Sequence, residues 1–135
     1  MLRNDQIQAA WVDYLKSNAI ILAELDDNEE IREDGWKGTK FTYPNIRVRL
    51  IDNIPEAGRD CSLHSVTIST MAFSEEASSQ QADRIAGIIM TELHDTQFVA
   101  NGISFGVRTT NLAPAIWSDE QTWRSEVIQS IRASG

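Results

Sequence analysis

The chain has 135 residues, 41% of them hydrophobic and 24% charged, enough apolar material for one core and too much for disorder over its bulk. Its 20 acidic and 12 basic residues give a formal net charge of −8, which disfavours a role gripping nucleic-acid phosphates: such proteins carry a basic patch that displaces counterions, and here the basic residues are scattered along the sequence. The single cysteine, Cys61, excludes an intrachain disulfide and fits a reducing compartment.

The longest purely apolar run, Ala19 to Ala23, is far short of the roughly 20 residues that cross a bilayer, and no signal peptide is expected at the polar N-terminus. In chain order, the first predicted element is a helix over Asn4–Ser17. Ile7, Trp11, Tyr14 and Leu15 form one apolar stripe, Asn4 is the expected cap and Asn18 the stop. The next segment turns strongly acidic from Glu24 to Asp34, with Ile31 marking a short strand. Gly35 and Gly38 bracket Trp36 in a loop.

Phe41 to Ile51 reads as a strand. Ile46, Val48 and Leu50 alternate with Arg47 and Arg49, which gives a half-buried strand with a basic outer face. Pro55 and Gly58 then mark a turn-rich loop. Leu63–Phe73 is a strand with His64, Val66, Ile68, Thr70 and Ala72 on one face. A second helix is predicted from Ser78 to Leu93, capped by Ser78 with Gln81, and buried through Ala82, Ile85, Ala86, Ile89 and Leu93. Asn101-Gly102 between Phe98–Ala100 and Ile103–Phe105 is a strong hairpin signal. Pro114 predicts an edge or a bulge. Residues 122–133 fit a helix through Trp123, Val127 and Ile131, and fit equally a strand of period two. The strand is preferred, pairing back beside Ala113–Trp117 across the turn at 118–121.

No residue pattern carries chemistry. A zinc site needs about four ligands in local clusters, and Cys61, His64 and His94 do not supply them. Cys61 lacks the neighbours that would make it a nucleophile. The acidic run lacks the glycine and closing glutamate of a calcium loop, and no glycine-rich phosphate loop is present. The expectation is therefore a non-enzyme with no catalytic residue, cofactor or metal. The interface candidates are Trp36, Arg47, Arg49, Glu30 and Asp34. Trp36 either folds back on the core or anchors a partner. Arg47 and Arg49 are either a solvated face or the complement of a neighbouring subunit's acidic segment.

The order of these elements resembles the tail terminator proteins of long-tailed bacteriophages, also described as minor tail or tail-completion proteins of the neck. The residues that carry the likeness are Tyr43-Pro44-Asn45-Ile46-Arg47-Val48, the strand Val66–Phe73 running into Ser74–Asp83, and the helix Ala82–Leu93 before closing strands. The likeness is best from Tyr43 to Val107 and poorest over Ala113–Gly135. It implies an α+β fold, a mixed and mainly antiparallel β-sheet with two α-helices packed on one face, as one domain over residues 1–135. It also implies a virion protein of the tail or neck, assembled in the host cytoplasm. Such a protein forms a homo-oligomeric ring, in this family a hexamer, that ends tail-tube growth and docks the head connector. Its partners are a second copy of itself, the tail tube protein and the head-completion protein. DNA passes through without specific binding, and no membrane is involved. On this reading the loops Ile31–Lys40 and Asp52–Asp60 face partners. The rival readings are another neck or tube component, or a small non-enzymatic interaction module.

Overall fold

The computed structural model describes residues 2–25, 30–35, 42–56, 63–117 and 122–135. The order of elements is α1 (Asn4–Ser17), α2 (Ala19–Ala23), β1 (Ile31–Glu33), β2 (Asn45–Pro55), β3 (Leu63–Ser74), α3 (Gln80–Leu93), β4 (Gln97–Ala100), β5 (Ile103–Trp117) and β6 (Trp123–Ser134). The fold is α+β. One six-stranded sheet runs β1-β2-β3-β6-β5-β4, antiparallel throughout except for the parallel β1–β2 pair.

The caps of the long helices differ from the expected ones: no cap side chain among the described residues bonds the first turn of α1 or α3, and both helices close on backbone bonds, Asn18 N–H to Leu15 O and His94 N–H to Met90 O. Asn4 lies inside α1, not at its cap. The preceding Arg3 takes that place, and its N–H donates to Gln6 Oε1 at 2.9 Å. Asn18 stops α1 and also starts α2, its Oδ1 accepting from the N–H groups of Ile20 and Ile21 at 3.0 and 3.2 Å. This gives the chain a third, short helix. Ser78 does not open α3, which begins at Gln80; the Ser78 hydroxyl accepts from the Gln80 N–H instead. Gln81 is buried and accepts from the Ser74 hydroxyl at 2.6 Å, tying the helix start to the end of β3.

The strand bounds also moved. β2 begins at Asn45, whose side chain closes the preceding turn on Thr42 O at 3.1 Å. It runs on to Pro55 rather than stopping at Ile51, because β3 pairs with it as far as Pro55↔His64 across a bulge at Ile51. Of the loops expected to face partners, Ile31–Glu33 and Asp52–Pro55 are strand. Residues 36–40 and 57–60, with Trp36, and Cys61 also, lie outside the described residues. Asn101 and Gly102 form the expected hairpin turn, with φ of 52° and 76°, both in the left-handed region that a two-residue turn of this hand requires. Pro114 sits in the register shift between Ala113 and Ile116, as expected of a bulge. The C-terminal segment is a strand, with Trp117 opposite Trp123. It is also central, because β3 pairs along its whole other edge, from Ser74↔Trp123 to Leu63↔Ser134.

Residues opposite one another in register share a face of the sheet. Val66, Ile68 and Ala72 of β3 join Val127, Ile131 and Val107 on one face, and all belong to the core cluster that contains Ile7, Trp11 and Leu15 of α1 and Ile85, Ile89 and Leu93 of α3. Both long helices therefore cover the same face. Trp11 is the keystone: fully buried, it packs against Phe98 and Phe105 with ring centroids 5.9 Å away, and its indole N–H donates to Thr70 Oγ1 at 3.1 Å. Tyr14 stacks on Phe98 at 3.5 Å.

Candidate assembly surfaces

The face opposite the helices carries no layer of secondary structure among the described residues. The register assigns to it Arg47 and Arg49 of β2, Arg124 and Arg132 of β6 and Arg108 of β5, against the carboxylates Asp52 and Glu126. Residues that are scattered in sequence thus converge: an acidic chain presents a basic sheet face. The floor between these arginines is small and hydroxylic, with Ser65, Thr67 and Ser130 in adjoining strands. Toward the first row of the sheet the face closes. Met71 and Phe73 are buried there, and the Arg47 guanidinium lies 4.7 Å from the Phe73 ring centroid.

Toward the β4 edge the face opens into two adjoining hollows of about 370 and 430 Å³, which share Gln97, Gly106 and Arg132 in their walls. Arg108, Ser130, Ser65 and the acid Asp95 are among the other walls of the first, Val99 and Ser104 among those of the second. Arg108 is exposed. Arg132 is too, and its guanidinium stands 3.6 Å from Glu56.

Glu30, Asp34, Arg47 and Arg49 come together at the β1–β2 edge. Arg32 is opposite Arg47, and the Glu30 carbonyl and Asp34 N–H bond to β2 at Ile46 and Val48. Glu30 is largely buried, its carboxylate 2.9 Å from Arg32, whereas Asp34 and Arg49 are exposed and Arg47 is half-buried. Trp36 is not among the described residues. Sequence reasoning missed Arg108 and Arg132, since neither stands in a basic run; only strand pairing brings them together.

Both histidines have structural partners. His64 is buried on the helix face. The Leu2 N–H donates to its Nε2 at 3.1 Å, so the proton lies on Nδ1, which contacts Asn53 Oδ1 at 2.6 Å. The Asn53 amide in turn donates to Leu2 O at 3.2 Å and Asn4 Oδ1 at 2.9 Å. The group clamps the N-terminal segment to β2 and β3. His94 closes α3; its Nδ1 accepts the Thr109 N–H at 3.0 Å and its Nε2 faces Asp95 at 3.3 Å. Together with Asp83, which accepts the Ala115 N–H at 2.8 Å, it occupies part of the outer edge of β5 and so blunts that edge toward another strand. Of the other exposed large apolar side chains, Ile51 and Ile54 lie on β2 and Leu112, Ile116 and Trp117 on β5, with Trp117 edge-on to Trp123, while Ile20 lies on α2. Among the described residues no cluster of three or more metal-ligating side chains occurs, and no helix is long and apolar enough to cross a membrane.

No protein-family model matches this sequence, and no curated protein matches it. Solved structures do. A chain from the virion of a native gene transfer agent particle superposes with a TM-score of 0.76 at 13% identity, over 96% of this chain and 95% of the other. A second, whose name states no function, superposes with a TM-score of 0.65 at 14% identity, over 100% of this chain and 98% of the other. At such identities the likeness is one of fold, and it extends over nearly the whole length of both chains in each case.

Proposed function

We propose that this chain is a structural protein of a phage-like virion, set in the neck as a ring that ends tail-tube growth and offers the surface on which the head connector docks. One observation carries the reading: the near end-to-end likeness of fold to a chain of a gene transfer agent virion. The arrangement of surfaces supports it. A sheet with one face under helices and the other open, and with different chemistry at its two edges, suits a head-to-tail contact that closes by rotation. The work is steric and done by complementary surfaces, with no bond made or broken. Arg47, Arg49, Glu30 and Asp34 belong to one contact, at the β1–β2 edge.

The test is the mass in solution over a range of concentrations, by light scattering after size exclusion, with negative-stain images of the same fractions. Closed rings of one size are the expected result, and addition of the ring to growing tail tubes should stop them. Long tubes would indicate a tube protein instead, and a particle that neither closes nor caps tubes would overturn the reading.

A further inference from the structure

We infer that the basic hollow beside β4, with Arg108 and Arg132 in its wall, receives the acidic β1 edge of a second copy of this chain through Glu33 and Asp34. The inference rests on the ring reading and names the contact that would build it. Three observations lead to it. First, β1 and β4 are the two ends of the strand order, so a contact between them joins unlike surfaces and repeats from copy to copy. Second, exposed charges of opposite sign are available at the two ends: Glu33 and Asp34 at the β1 end, beside the arginines of β1 and β2, and Arg108 and Arg132 at the other, with Asp95 on the rim and Glu56 beside Arg132. Third, the hollow is open and its floor is small: Ser65, Ser130 and Gly106 leave room for carboxylate side chains to reach both guanidinium groups, and the serine hydroxyls can donate to them.

The arrangement also changes the role of Arg47 and Arg49. They lie on the strand next to β1, at the same edge as the acidic residues, so they cannot be what those residues meet in a head-to-tail ring. The complement must come from the far edge, and Arg108 and Arg132 are there.

Charge reversal tests this directly. Arg108→Glu/Arg132→Glu and Glu33→Arg/Asp34→Arg are made separately, and both pairs are also combined in one chain. Each double variant should fold as the parent does but associate at least about tenfold more weakly, since like charges then face each other. The fourfold variant should regain association, and so should an equimolar mixture of the two double variants, in which every contact is again between opposite charges. Association of the parent should weaken as salt rises. An oligomer that survives both reversals, or a fourfold variant that does not recover, overturns this contact and leaves the ring reading standing. A parent chain that is monomeric at millimolar concentration overturns this contact, and one that also fails to cap tail tubes overturns the ring reading as well. If the arginine reversal leaves the oligomer intact and instead abolishes binding to duplex DNA, the hollow is a phosphate surface and the inference is wrong.

Discussion

Replacing Thr70 by valine removes a single hydrogen-bond acceptor from the core at nearly constant volume. Thr70 and Trp11 are both fully buried, and the indole N–H reaches the threonine hydroxyl at 3.1 Å. Valine leaves that N–H with no partner in a site that excludes water, and an orphaned buried donor costs about 1–3 kcal/mol. With a urea slope of about 2 kcal/mol per molar, mid-range for small domains, the midpoint should fall by roughly 0.5–1.5 M at unchanged slope. Trp11→Phe orphans the hydroxyl instead and also leaves part of the space between Phe98 and Phe105 unfilled, so it should cost more. The double variant removes both polar partners. Its cost should be less than the sum of the two by about 0.5–3 kcal/mol, the range found for residues in direct contact. Urea unfolding followed by far-ultraviolet circular dichroism measures all four proteins without relying on the fluorescence of the residue being changed. A Thr70→Val protein as stable as the parent, or single costs that add to within about 0.5 kcal/mol, would refute the claim that this bond organises the packing of α1 on the sheet.

Further outcomes can be checked by the same unfolding assay and by sizing. Gly102→Ala should cost about 1 kcal/mol from the left-handed backbone alone, because a methyl group there meets no atom within 4 Å; a change below about 0.3 kcal/mol would show that the turn rearranges. Gln129→Leu should be neutral or stabilise by up to about 1 kcal/mol, since the buried Oε1 has no partner among the described residues and the amide holds only the Thr109 hydroxyl at 3.2 Å; a loss above about 1 kcal/mol would give Gln129 a role this packing does not show. Arg49→Glu, at an exposed position, should leave stability within about 0.5 kcal/mol of the parent and, because it adds a carboxylate to the edge that meets Arg108 and Arg132, should not weaken ring formation. Arg47→Glu should lower stability by about 0.5–1 kcal/mol, because its guanidinium lies over Phe73; a combined variant that folds but loses the ring would show that Arg47 and Arg49, not the acids beside them, make the contact at this edge.

The local signals that held are those in which a few neighbouring residues settle the matter. The apolar stripe of α1 and that of α3 needed only helical spacing, and both appear in the core. Asn101-Gly102 needed only two positive φ angles, and Pro114 only its missing N–H. The caps were less legible. Asn4, Ser78 and Gln81 each have a side chain suited to capping, but each is used elsewhere or otherwise: Asn4 receives the Asn53 amide, and Gln81 turns inward to Ser74. A capping motif states what a side chain can bond, while the tertiary partner on offer decides what it does bond.

The sequence by itself determined the two long helices and which of their faces are buried, because hydrophobic periodicity is a property of neighbours along the chain; the α+β class was what the resemblance of the element order implied. For the C-terminal segment, Trp123, Val127 and Ile131 satisfy both periods, and the strand preferred from the sequence, paired back beside Ala113–Trp117, is the one that forms. Only the tertiary structure decided that this segment is a strand at the centre of the sheet, bonded on one side to β3 and on the other to β5. The same pairing decided the candidate surface. Arg108 and Arg132 are far apart in sequence and unremarked in composition, and they become neighbours only when Gly106↔Arg132 and Arg108↔Ser130 fall into register. Charge along a chain can be counted from its letters, but charge on a face depends on long-range strand pairing, which no local pattern encodes.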